Sequence, residues 1–511
     1  MAERIHITTA ITYSNGPPHV GHAYEYLATD TYVRYQRRKL GRENVSFVTG
    51  TDEHGDKNYR AAQAEGLEPK PFVDRISEFF RTAHAGLNIS YDHFVRTTDP
   101  VHQKFVQRML QRARDNDEIY YKDYEGLYCV GCERFYTDKE LLPGNVCPTH
   151  NRPVELIKEG NYFLHLEKHR EQIREYIQRP GVIRPERYRN EVLNMLAQPI
   201  EDLCISRPKA RLSWGIEMPF DTNYVTYVWY DAFWAYLSEL PDTSDAALTA
   251  ILPVTEHFIG KDILKTHAIY WPAMLIASKL PVYRSLNVHG WVNFGGERFS
   301  KSSGLTADPL EYEKTYGKDA LRFFFLRDGV YGLDVDFSDE RLTERYNADL
   351  ANDLGNLTSR VLSMAQRYFG GEVKAESGVT DEDRALADVF AAIPAKVALQ
   401  TEELAFNRAL EVIWQALDGA NKYIVATSPF TLAKDPAKLP RVAEILATLL
   451  ECLRVSADTL APFMPSTAPR ILELLGVDEA TARAPFGQGI KPGHRVKAPV
   501  PLFPRIEKSR T

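Results

Sequence analysis

Two histidines three residues apart, in His19-Val-Gly-His22, follow an apolar run and open a helical pattern. Far downstream comes Arg298-Phe-Ser-Lys301-Ser302-Ser303, with Gly295-Gly296 before it and Gly304 after. Either set alone is a weak signal; together they supply what a polyphosphate needs. A helix start offers N–H groups and a positive dipole end. Imidazoles can donate to phosphoryl oxygens as charge moves onto a leaving group. Arg298, Ser300, Lys301 and Ser302 put cations and hydroxyls on a loop whose flanking glycines let it close over a ligand. Gly21 removes a side chain where a nucleotide would lie against backbone. The chemistry indicated is displacement at phosphorus, which asks for positioning and charge neutralisation more than covalent catalysis. Gly260-Lys261-Asp262 ends another apolar run. A glycine and a carboxylate there suit a sugar hydroxyl, and Asp262 suits a helix N-cap equally well.

A second constellation is a metal set. Cys129-x-x-Cys132 and Cys147-x-x-His150 are two knuckles separated by the run from Glu133 to Val146. That form gives one tetrahedral zinc site of three cysteines and a histidine, structural because protein fills every position. The other two of the five cysteines, Cys204 and Cys452, read as buried apolar residues. This usage fits a reducing compartment better than a disulfide framework, so a cytoplasmic protein is expected.

These residues must be positioned by something. From Ile5 to Tyr13 the sequence is β-branched and aromatic, reads as a buried strand, and is broken by Asn15-Gly-Pro-Pro18. A helix from about His19 to Lys39 and a second strand, Val45 to Thr49, complete a βαβ unit. The texture returns at 251–259 and 282–289. The expectation is one α/β, doubly wound parallel sheet whose ligands bind at the carboxyl ends of its strands. Residues 114–208 are irregular and read as an insertion. Leu342, Tyr346, Leu350, Leu354, Leu357, Val361 and Met364, spaced three or four apart, predict an amphipathic helix from about 340 to 369, closed by Gly370-Gly371. Helical patterns continue to about 476. The proline-rich stretch 497–505 is expected to pack back along the body. With 511 residues, several domains are expected. The net charge of −7 excludes a generic polyanion binder, so any nucleic-acid contact must be local. No apolar run is long enough to span a membrane.

The motif pair and the segments Ala10–Tyr13, Val228–Tyr236 and Asn287–Trp291 resemble the class I aminoacyl-tRNA synthetase family, and within it the methionyl-tRNA synthetases. The resemblance covers about Ile5 to Glu507. It implies a Rossmann-like catalytic first half (1–113), a zinc-bearing connective insertion (114–208), a catalytic second half with the lysine loop (209–335), and an all-α stem-contact and anticodon-binding domain (336–511). By match, His19, His22, Lys301 and Arg298 are catalytic, and Gly21, Gly260, Asp262, Ser300 and Ser302 bind ATP. Ile11, Tyr13, Asp52, Trp229, Ala232, Tyr236 and His289 line a methionine pocket, with Asp52 on the substrate ammonium. Asn356, Arg360 and Phe430 read anticodon bases. The reaction implied is activation of L-methionine with ATP and Mg²⁺, then transfer to methionine tRNA, elongator and initiator. A tyrosine hydroxyl or histidine N–H would offer the thioether a weak hydrogen bond. Three positions depart from the family pattern: Arg298 replaces lysine, Phe233 replaces proline or leucine, and Phe430 replaces tryptophan. The chain stops before the dimerising domain of fuller members, so a monomer is expected. The insertion is too short for the editing domain of the leucine, isoleucine and valine enzymes. The metal ligands lie in the insertion, whereas the cysteine enzyme holds its metal in the amino-acid pocket. A zinc-bearing RNA-binding module without catalysis would not need His19, His22 and Lys301.

Overall fold

In this computed structural model the residues described are 3–130, 132, 134–136, 140–295, 297–298 and 307–507. They form two compact units. The first holds residues up to 18, 37–85 and 90–289; the second holds 19–36, 86–89 and those from 290 on. This division is coarser than the four segments drawn from the sequence.

The first unit is built on a seven-stranded sheet. Its strands are β1 (Ile5–Thr9), β2 (Thr12–Tyr13), β3 (Val45–Asp52), β4 (His93–Arg96), β5 (Ile183–Arg184), β6 (Thr255–Gly260) and β7 (Ser285–His289). The order is β2-β3-β1-β6-β7-β5, with β4 also on β3, and every pairing is parallel. All five residues of β1 are buried, as expected for a parallel strand covered on both faces. The run read as one strand from Ile5 to Tyr13 is two, because the chain breaks at Ala10-Ile11 and restarts beside the end of β3. Two helices matter for the site: α1 (Pro100–Asp115) and the short α2 (Val228–Phe233).

Residues 114–208 are only partly an insertion. The strands Ile119–Cys129, Arg134–Tyr136, Glu155–Leu164 and Leu203–Cys204 form their own antiparallel sheet. However, β5 returns to the main sheet, where Ile183 and Arg184 pair with Leu286 and Asn287. A two-residue strand carries no periodic signal.

The second unit contains the helix start after His19, a small sheet of Val292–Phe294 with Glu297–Arg298 and Val335–Phe337, and the helices that follow. The helix expected at 340–369 is interrupted. Asp339–Arg345 and Asn356–Phe369 are α-helical, and Tyr346–Gly355 between them is a π-helix. The spacing explains this. Leu342, Tyr346, Leu350 and Leu354 recur in steps of four, which drift by about 40° per step on an α-helix. The wider π turn, which holds Tyr346, Leu350 and Leu354, drifts the other way and offsets this, and all four are buried. The C-terminal stretch packs on this segment: Tyr346 Oη donates to Pro504 O at 3.0 Å and Asn347 Nδ2 to Ile506 O at 2.9 Å.

A buried ion pair ties the long helix Val20–Leu40 into the second unit. Arg322 Nη2 donates to Asp30 Oδ2 at 2.5 Å, and Arg322 Nε donates to Phe463 O at 3.0 Å. Neither side chain has exposed surface. Asp30→Ala leaves the guanidinium buried without its carboxylate, at a cost of about 3–5 kcal/mol. A clear fall in the denaturation midpoint is expected; an unchanged midpoint would contradict this.

Candidate active site and metal centre

The parallel ladder sets the geometry of the first unit's loops. At its carboxyl edge Tyr13 lies opposite Asp52, and Gly260 lies opposite His289. Strands β1 and β6 are neighbours there, Thr9 facing Phe258. Gly260 carries no Cβ for a close reason: one built there would come within 2.7 Å of Asp262 Oδ1 and 3.6 Å of the His289 ring. Asp262 is not an N-cap. It lies inside the 3-10 turn Lys261–Ile263, whose N-cap is Gly260.

Ile11, Tyr13, Trp229 and Tyr236 join one apolar cluster around α2. Tyr13 and Trp229 meet edge to face with centroids 6.3 Å apart. Ile11, Tyr13 and Trp229 are half-buried, while Asp52, Ala232, Tyr236 and His289 are buried. Phe233, the departure from the family pattern, turns inward. It stacks on Trp271 at 5.5 Å and meets His267 edge-on at 4.9 Å. A cavity of about 560 Å³ elsewhere in this unit is lined by Tyr120, Phe163, Arg207, Tyr227 and Lys265 among others; none of the predicted pocket residues lines it.

The structure assigns the proton on Tyr236. His267 Nδ1 lies 3.0 Å from Ile263 O. A carbonyl only accepts, so Nδ1 carries the hydrogen. Burial lowers the His267 pKa to about 4, which keeps the ring neutral. Its Nε2 therefore accepts from Tyr236 Oη at 2.7 Å. The Tyr236 hydroxyl thus has its proton engaged by His267.

In the second unit His19 and His22 are half-buried, stacked with ring centroids 3.8 Å apart. His22 Nδ1 accepts from His19 N at 3.2 Å, and His19 Nδ1 accepts from Gly21 N at 3.1 Å. Both neutral rings therefore carry their hydrogen on Nε2, the form that donates to an anion. Gly21 has a nearer reason than contact with a nucleotide. A Cβ there would come within 2.9 Å of the His19 ring. Ser300, Lys301 and Ser302 lie outside the described residues, as does the Arg298 side chain.

Cys129, Cys132, Cys147 and His150 converge, with their ligand atoms all within 4.8 Å of one another. Cys132 Sγ is 3.5 Å from Cys147 Sγ and 3.2 Å from His150 Nδ1, and His150 Nδ1 is 3.8 Å from both Cys129 Sγ and Cys147 Sγ. A tetrahedron with metal–sulfur bonds of about 2.3 Å has edges of about 3.8 Å, so the donor set fits a four-coordinate metal. Tyr136 Oη, 2.9 Å from Cys132 Sγ, supplies the outer hydrogen bond that orients such a ligand. Cys204 and Cys452 are buried, as expected.

Asn356 and Arg360 lie one turn apart on Asn356–Phe369, Asn356 exposed and Arg360 half-buried. The Arg360 guanidinium sits 5.7 Å from the centroid of the exposed Phe430 ring. The αL conformation of Ser428 turns the chain just before that ring.

Sequence reasoning missed a buried polar system beside the predicted pocket residues. Asp231 lies between two imidazoles, His54 and His102. Glu53 accepts from Arg96 Nε at 2.7 Å and from Thr51 Oγ1 at 2.8 Å. One signal was available. A carboxylate within Trp229-Tyr-Asp231-Ala-Phe-Trp234 must be paired if buried. Its partners, far away in the chain, were not legible.

Comparison with known proteins gives the family. The family model described as tRNA synthetases class I (M) matches residues 5–362. A methionine–tRNA ligase of Deinococcus radiodurans is 43% identical over 98% of this chain and 74% of its own length. One from Caldanaerobacter subterraneus is 40% identical, over 99% and 80%. Mycobacterium tuberculosis methionyl-tRNA synthetase in complex with methionyl-adenylate superposes with a TM-score of 0.93 at 37% identity, covering 98% of this chain and all of that one. The chain belongs to the methionine–tRNA ligases, a family of the class I tRNA synthetases.

Proposed function

We propose that this chain activates L-methionine with ATP and transfers it to the 3′-terminal adenosine of methionine tRNA, elongator and initiator. The observation that carries this is the carboxyl edge of the parallel sheet, where Asp52, Tyr13 and the half-buried Trp229 converge. A carboxylate beside an aromatic, sulfur-compatible surface suits an amino acid with a thioether side chain.

In the first step a methionine carboxylate oxygen attacks the α-phosphorus of ATP. The bond to the bridging oxygen breaks and pyrophosphate leaves. Asp52 holds the ammonium; Ile11, Tyr13, Trp229, Ala232 and Tyr236 surround the side chain. Because the Tyr236 proton is engaged by His267, His289 is the nitrogen donor of the set for sulfur. His19 and His22 donate Nε2–H groups to phosphoryl oxygens, Arg298 and Lys301 neutralise the departing charge, and Gly21, Ser300 and Ser302 bind phosphate. Gly260 and Asp262 take the ribose. Mg²⁺ accompanies ATP and supplies charge neutralisation. In the second step the 2′-hydroxyl oxygen attacks the adenylate carbonyl carbon, and AMP leaves with the anhydride oxygen. The chain acts in the cytoplasm as a monomer. Among the described residues no helix is long and apolar enough to cross a membrane.

Pyrophosphate exchange should depend on methionine and fail with leucine, and exchange driven by leucine would overturn the reading. Lys301→Ala should lower kcat for adenylate formation by at least about a hundredfold with methionine affinity kept; a loss of affinity alone would misplace it. Asn356, Arg360 and Phe430 contact anticodon bases by hydrogen bonding and stacking. Arg360→Ala should therefore reduce tRNA charging by at least about tenfold while exchange stays intact; equal loss of both would refute that role. The knuckle holds one structural zinc. Metal analysis should find one per chain, and Cys147→Ala should lose it and lower the melting temperature. A count of none or two would contradict the assignment.

A further inference from the structure

Asp231 has no exposed surface, and its two oxygens serve different imidazoles. Oδ2 accepts from His54 Nδ1 at 2.6 Å and Oδ1 from His102 Nε2 at 2.6 Å. Because a carboxylate only accepts, those ring nitrogens carry the hydrogens. His102 is equally buried, and its Nδ1 lies 2.9 Å from Ser238 Oγ. Burial pushes the Asp231 carboxyl upward, but His54 and the hydrogen bond from His102 outweigh it and hold the group below the ordinary carboxylate range.

The elements joined here carry the amino-acid pocket. His54 comes two residues after Asp52, and the carbonyls of both accept from the buried Asn58 Nδ2, at 3.0 and 2.9 Å. Trp214 Nε1 donates to Glu53 O at 2.6 Å, and its ring lies 5.3 Å from that of His54. The end of β3 is thus held from several sides. On the other side Asp231 sits between Trp229 and Ala232 on α2, a helix of six residues with no side-chain cap. So short a helix has little stability of its own, so its neighbours must fix where Trp229 and Ala232 stand. Of the three side chains, Asp231 is the one that ties α2 directly to the strand end bearing Asp52 and to α1.

We propose that His54, Asp231 and His102 are positioning residues for the amino-acid substrate: a buried bridge that sets the separation between the Asp52 carboxylate and the Trp229–Ala232 wall. This rests on the methionine-pocket reading above and extends it. The bridge acts on how the amino acid is held at both ends, ammonium and side chain, and leaves the handling of ATP alone.

The test is pyrophosphate exchange by the full chain, with methionine and ATP varied separately. Asparagine places its amide nitrogen near the position of the His54 Nδ1 donor, and leucine removes that donor. His54→Leu and Asp231→Asn should each raise KM for methionine by about tenfold or more, with KM for ATP within about twofold. His54→Asn should stay within about threefold of the parent chain. An unchanged methionine KM in His54→Leu would overturn the proposal. So would His54→Asn as impaired as His54→Leu, or a parallel rise in both KM values, which is the mark of a merely structural role. If Asp231→Asn does not fold, the His54 pair decides alone. Failure of the underlying pocket reading is told apart because the parent chain itself would then show no methionine-dependent exchange.

Discussion

The parallel backbone ladder is the constraint on which the candidate site depends. Hydrogen bonds between β1, β2, β3, β6 and β7 fix which residues stand side by side where the strands end. Tyr13 is opposite Asp52 and Gly260 opposite His289 because the registers allow nothing else. A shift of register would move each of these relative to its partner. The strands are buried on both faces, so their cost in ordered backbone is offset by apolar contact and by complete pairing. The loops just beyond them are then free to carry polar side chains at set positions.

Polar groups do the fine adjustment inside this frame. Glu53, Asp231, His102 and His267 are all buried. Each is satisfied by a named partner, so its desolvation is compensated. The sheet determines which elements meet, and these pairs determine how closely. Aromatic packing closes the remaining space: Phe233 against Trp271 and His267 fills volume beneath the half-buried Trp229. The metal knuckle applies the same logic locally. Four donors and the Tyr136 hydroxyl organise a stretch that has little apolar core of its own.

Local features were legible in the sequence. The buried β-branched run at Ile5, the helix start after His19 and the cysteine spacing each depend on neighbouring residues, and each stands where expected. The knuckle was the clearest, since ligand geometry dictates spacing. The C-terminal strap was legible from its prolines. Features set by distant parts of the chain were not. Ile183–Arg184 is too short to show a period. The steps of four from Leu342 to Leu354 looked α-helical, though a strict four-residue repeat suits a π segment better. The partners of Asp231 lie 177 and 129 residues away, so no window could find them. The direction of the Tyr236 proton depends on a carbonyl at Ile263 that only the fold brings near. Phe430 came from resemblance alone, yet it stands where Arg360 can cover it.

The central claim is that the carboxyl edge of this sheet holds methionine between Asp52 and the aromatic wall of α2. A crystal structure of the chain grown with methionine tests it most directly. The account predicts the ammonium in hydrogen-bond contact with Asp52 and the thioether against Trp229, Ala232 and Tyr236. Methionine density elsewhere in the unit, or an ammonium turned away from Asp52, would contradict it.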